Sequence, residues 1–101
     1  MSDVLCDFCR SEWTDARHMV EGHQGSCICS DCLTAAYRAL AVERRPTAPS
    51  GSRCTLCLET RADPAWQSPQ FPGAVACLRC VKQSAAVLQK DPDFGWRKPD
   101  R

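Results

Sequence analysis

Eight of the nine cysteines in this 101-residue chain fall into four Cys-x-x-Cys pairs, and the pairs repeat at a fixed offset. Cys6, Cys9, Cys29 and Cys32 recur 48 positions later as Cys54, Cys57, Cys77 and Cys80. Both sets read C-x2-C-x19-C-x2-C, so the chain is two copies of one unit. A two-residue gap lets the backbone turn and aim both sulfurs at one point. Four thiolates so arranged close a tetrahedron around Zn²⁺ at Zn–S distances of about 2.3 Å. A single pair would also suit a redox motif. Four pairs in register point to two structural zinc ions.

Size points the same way. Each half holds about 45 residues, close to the limit of ~40 below which a domain usually needs metal, disulfides or oligomerisation. Zinc is therefore the expected folding determinant, and the metal-free chain is expected to be mostly unfolded. A disulfide framework is the rival use of nine cysteines. Met1-Ser2-Asp3-Val4-Leu5 has neither the basic start nor the apolar run of a secretory signal, so a reducing cytoplasm is the expected setting. Nor does any stretch approach the ~20 apolar residues that span a bilayer. Formal charge is +1 with neutral thiols, and two zinc tetrathiolate centres would bring it to about −3. A nucleic-acid binder normally shows a strongly basic face instead.

The sequence divides into a first unit at 1–45, a linker at 46–52, a second unit at 53–91 and a tail at 92–101. Pro46-Thr47-Ala48-Pro49-Ser50-Gly51-Ser52 has linker composition, and would span about 25 Å if extended. That reach lets the units touch without requiring it. In each unit a leading cysteine pair is followed by a segment with turn signals, Gly22 and Gly25 in the first and Pro72-Gly73 in the second. A hairpin is expected there. The second pair then opens a helix, where free N–H groups and the positive dipole end favour thiolates. Leu33, Ala36, Tyr37 and Leu40 lie on one helical face, as do Val81, Ser84, Ala85 and Leu88. Pro46 and Pro92 are expected to stop the two helices. The fold class is thus a small α+β metal-stabilised protein of two tandem treble-clef four-cysteine zinc fingers, each a knuckle, a short hairpin and one helix. Cross-braced sites of the RING or LIM kind place their middle ligand pairs a few residues apart. Here a helix and a linker separate Cys32 from Cys54, which favours sequential sites.

The first unit resembles the four-cysteine zinc-binding domain of the ClpX unfoldase family. Leu5-Cys6-Asp7-Phe8-Cys9 matches its knuckle, Ala16-Arg17-His18-Met19-Val20-Glu21-Gly22 its basic-apolar strand, and Ile28-Cys29-Ser30-Asp31-Cys32-Leu33 its helix entry. The second unit keeps the ligand spacing and helix but little else. Arg10 and Leu58 stand where that family usually has a glycine after the first pair, and one extra residue precedes Cys29. No G-x-x-x-x-G-K-[ST] phosphate loop occurs in these residues. The resemblance implies a recognition module of the kind that dimerises and captures substrates and adaptors.

Several residues have plainer readings. Cys27 aligns with Val75 and is expected to be a small apolar hairpin residue. His18 and His23 are expected on the surface, because each site already has four thiolates. Trp13, Trp66, Trp96, Phe71 and Phe94 can cover the metal sites and helix faces, and any remainder would form an exposed apolar patch, the mark of a protein-binding surface. Phe94-Gly95-Trp96-Arg97 is a candidate docking peptide. The sequence therefore predicts a non-enzymatic zinc-binding module for a protein partner or unfolded polypeptide, either a homodimer or paired finger to finger within one chain. Adaptor to a protease or chaperone is the expected role. The alternative is a nucleic-acid-binding zinc-finger regulator using Arg38, Arg44, Arg45, Arg53, Lys82 and Lys90.

Overall fold

The computed structural model describes residues 5–14, 17–22, 26–49, 51–60, 63–92, 94–97 and 99. Each unit begins with a knuckle. The Arg10 N–H donates to the Cys6 carbonyl at 2.8 Å, and the Leu58 N–H to the Cys54 carbonyl at 2.9 Å. Both knuckles leave this turn through a left-handed residue, Arg10 at φ 62° and Leu58 at φ 61°. The missing glycine has therefore not altered the turn. The side chains carry the strain instead.

Short antiparallel hairpins follow: β1 (Met19–Glu21) with β2 (Cys27–Cys29), and β3 (Ala65–Gln67) with β4 (Val75–Cys77). Each leads directly into a helix, α1 (Ser30–Tyr37) and α2 (Leu78–Gln89). The apolar faces anticipated from periodicity are turned inward, with Leu33, Ala36 and Leu40 buried on one side and Val81, Ala85 and Leu88 on the other. The helix ends differ. After Tyr37 the chain widens into a π turn over Arg38–Val42, with the Glu43 N–H on the Arg38 carbonyl at 2.8 Å, and closes through left-handed Arg44 at φ 56°. That turn ends the first helix before Pro46 is reached, whereas α2 runs close to Pro92.

The repeat is not uniform. Met19 faces Cys29 in the first hairpin, and Ala65 faces Cys77 in the second. The ligands and helices thus repeat at 48 residues, but the first hairpin strand repeats at 46. Two hydrogen bonds confirm the shift: Ser30 N–H to the His18 carbonyl, and Leu78 N–H to the Pro64 carbonyl, both at 2.8 Å. Trp66 accordingly occupies the place of Val20.

The units pack on one another through reciprocal contacts and share one core, in which the inner faces of α1 and α2 meet Phe8, Leu56, Trp66 and Trp96. Phe8 and Trp66 rings lie 5.7 Å apart across the junction. The Ser68 hydroxyl donates to the Phe8 carbonyl. At the related point Gly22 approaches Leu56 so closely that a Cβ there would lie 2.6 Å from the Leu56 carbonyl oxygen. Each post-helical segment crosses to the other unit. In the linker, Thr47 and Ala48 N–H groups both reach the Ala65 carbonyl at 3.0 Å. In the tail, Phe94 stacks on His18 at 4.3 Å, and the Trp96 indole N–H donates to Thr34 Oγ1 at 2.9 Å.

Candidate metal centres

In each unit the knuckle presents one cysteine pair, and the end of the hairpin with the first helical turn presents the other. The structure brings Cys6, Cys9, Cys29 and Cys32 into one group and Cys54, Cys57, Cys77 and Cys80 into a second, all sulfurs of a group within 4.8 Å of one another. Individual separations are 3.8 Å for Cys6–Cys32, 3.6 Å for Cys9–Cys29 and 3.9 Å for Cys57–Cys77. A regular tetrahedron of four sulfurs with Zn–S of about 2.3 Å has edges of about 3.8 Å. The sulfur cages match that size and are far too wide for disulfides.

Backbone N–H groups are aimed at the sulfurs. Phe8 and Cys29 N–H both donate to Cys6 Sγ at 3.3 Å, and Cys32 N–H donates to Cys29 Sγ at 3.4 Å. In the second unit Cys77 N–H reaches Cys54 Sγ at 3.4 Å, the counterpart of the Cys29 bond. Such donors spread the negative charge of a tetrathiolate.

Without a cation the sulfurs cannot all ionise. Hydrogen bonding with Cys29 and Cys32 holds Cys6 well below the ordinary thiol range. Hydrogen bonding with Cys29 and with Cys6, added to by burial, drives Cys32 far up. Burial pushes Cys77 up to about 11 and Cys80 higher still. A thiolate in the first group forces its neighbours to keep their protons, and only added positive charge releases them. The donor set is that of a dication site.

Cys27 stands outside both groups. It is buried on β2, its N–H donates to the Asp7 carboxylate at 2.7 Å, and burial next to Glu21 and Asp7 pushes its thiol up. His18 is no ligand either. It sits between Trp13 and Phe94 with Nδ1 2.8 Å from an Asp91 carboxylate oxygen. His23 lies outside the described residues. Trp66 and Trp96 are buried, whereas Trp13 and Phe71 are exposed.

Fold and site together define a protein of two tandem four-cysteine zinc fingers, whose sites fit two structural zinc ions. Residues 4–41 match the family model described as ClpX C4-type zinc finger, a stretch covering the first knuckle, hairpin and helix. The second four-cysteine group, at 54–80, has the arrangement of a tandem copy. No curated protein and no solved structure matches the chain. Among the described residues no helix is long and apolar enough to cross a membrane.

Proposed function

We propose that this protein is a non-enzymatic, cytoplasmic interaction module, held together by zinc on the eight cysteines of the two groups, that binds a protein partner or unfolded polypeptide and serves as an adaptor to a protease or chaperone. The observation that carries the reading is that both metal cages are closed. Four sulfurs complete each tetrahedron, whereas catalytic zinc keeps one position for water or substrate. The metals then act on shape, and function falls to the surface they hold rigid. Leu5, Trp13, Phe71 and Val87 are large apolar residues left exposed on it. The family match of residues 4–41 supports the same class.

Apolar contacts are weakly screened by salt, while phosphate contacts are lost steeply. Binding to an alkylated, permanently unfolded model protein is expected to persist from about 50 to about 300 mM salt and to vanish on chelation. Tight, salt-sensitive binding to DNA or RNA with none to polypeptide would replace this reading with a nucleic-acid regulator.

A further inference from the structure

The repeated register gives each finger a related set of positions at the end of its helix, and the protein's own chain covers only the first of these two clefts. On the first finger the cleft is filled by the tail. Trp96 is 8 % exposed, and its indole N–H bonds Thr34 while Phe94 lies against His18. On the second finger the register partners of Thr34 and His18 are Lys82 and Pro64, by the 48-residue helix offset and the 46-residue strand offset respectively. Those two residues line an open cleft of 340 Å³. Leu40, Ala41, Pro46 and Leu78 supply its apolar surface, and Arg44 stands with Lys82 as its second cation. The cleft is open for a simple reason: the residue 48 positions before Trp96 is Ala48, in a linker that crosses to the second finger as the tail crosses to the first.

We propose that this open cleft is a docking site for an extended peptide segment of a partner protein, carrying a large apolar or aromatic side chain next to an acidic residue. The tail shows what side chain the related cleft accepts. The change from Thr34 to Lys82 shows how the second cleft differs, since a hydroxyl acceptor has become a cation. Arg44 and Lys82 are both exposed, and among the described residues neither forms an ion pair. Among the described residues no carboxylate lines the cleft. An incoming Asp or Glu therefore meets two uncompensated charges, while the apolar surface takes the neighbouring ring. Two cations around Leu and Pro side chains suit one carboxylate better than a phosphate backbone. Arg44 also holds a left-handed conformation, φ 56°, in which glycine would be less strained.

This inference rests on the interaction-module reading, and its test separates the two. The probe is a fluorescein-labelled hexapeptide, Gly-Asp-Asp-Trp-Asp-Gly, titrated by anisotropy with the full zinc-loaded chain beside the unfolded model protein. Saturable binding of the probe is expected. Lys82→Glu should weaken it tenfold or more. Arg44→Gly fits the backbone better, so it should weaken the probe while keeping zinc content and thermal stability. Ala48→Trp, which supplies the missing ring in cis, should abolish probe binding, and Lys90→Glu on the end of α2 should leave it unchanged. Probe binding indifferent to Lys82→Glu, Arg44→Gly and Ala48→Trp would overturn the cleft. A probe that fails to bind while the unfolded protein binds would overturn it too, leaving the module standing. Failure of both ligands would overturn both readings. Displacement of the probe by a short DNA oligonucleotide, steeply weakened by salt, would assign the cleft to phosphate and overturn the peptide assignment.

Discussion

Arg10 and Leu58 show how a single residue can carry a strain that its neighbours impose. Each holds a φ near +60° where the knuckle turns back on itself, a conformation costing an L side chain about 1–2 kcal/mol that glycine escapes. Arg10→Gly would also remove the guanidinium from 5.2 Å above the Phe71 ring, so the proper comparison is with Arg10→Ala. The glycine variant should be the more stable of the two by about 1 kcal/mol in chemical denaturation of the zinc-loaded protein. Equal stabilities would mean that the knuckle is not left-handed at that residue. The thiols offer a second test. In the folded arrangement without a cation, burial pushes Cys77 up to about 11. In an unfolded chain a thiol titrates at about 8.5, so in either state near neutral pH it holds a proton that zinc must displace. A raised pKa stabilises the protonated, metal-free form below that value, and zinc affinity must therefore fall as pH falls. Competition with a chelator between about pH 8 and pH 6 should show a loss of at least tenfold per unit of pH. An affinity flat across that range would contradict the placement of the sulfurs.

At the level of elements, the knuckles, hairpins and helices were legible because cysteine spacing and apolar periodicity speak directly about local geometry. The two-residue shift of the first hairpin strand was not. Nineteen residues separate the cysteine pairs in both units, which fixes the sum of the segment before the strand and the hairpin itself, but not its division. The second unit moves two residues from the former into the latter, so Trp66 takes Val20's place and Ser68 takes Gly22's. The early end of α1 was equally hidden, because a wide turn closing through Arg44 leaves no proline or glycine as a mark. Gly22 gains its meaning only here. Gly22→Ala would drive a Cβ to 2.6 Å from the Leu56 carbonyl oxygen, and backbone cannot swing aside as a side chain can. The variant should lose about 1–3 kcal/mol, the range for overpacking. Ser68→Ala creates no clash but removes the bond donated to the Phe8 carbonyl and the two that its hydroxyl accepts from the Gln70 and Phe71 N–H groups, so it should lose about 1–3 kcal/mol. Thermal unfolding of the two variants measures both losses, and a Gly22→Ala protein as stable as its parent would show that the junction is looser than described.

For the molecule as a whole, the arrangement of two units in one chain could be read as beads on a linker or as a single body, and the sequence left both open. The linker reach permits contact without enforcing it, and no local pattern records that Trp96 returns to Thr34 or that Ser68 reaches Phe8. Those contacts join residues 62 and 60 positions apart, so they depend on how the fingers pack together and not on either finger alone. The four-sulfur groups, by contrast, could be read from spacing, because each closes within one unit. The shared core has an energetic consequence. If the units were independent, Cys29→Ser would empty the first site and leave the second as it was. Here the inner face of α2 is covered by Leu33, Ala36 and Leu40 of the first helical segment in a common cluster, and β1 and α1 need their metal to stay folded. Losing the first zinc should strip that cover, so α2 opens more often and the second zinc binds more weakly. In Cys29→Ser, amide exchange along α2 should therefore accelerate at least tenfold, and a chelator should remove the remaining zinc faster than from the intact protein. Cys27→Val, which copies Val75 at a site outside both sulfur groups, should change neither. If α2 in Cys29→Ser kept its protection and its zinc, the fingers would be energetically separate, whatever their contact.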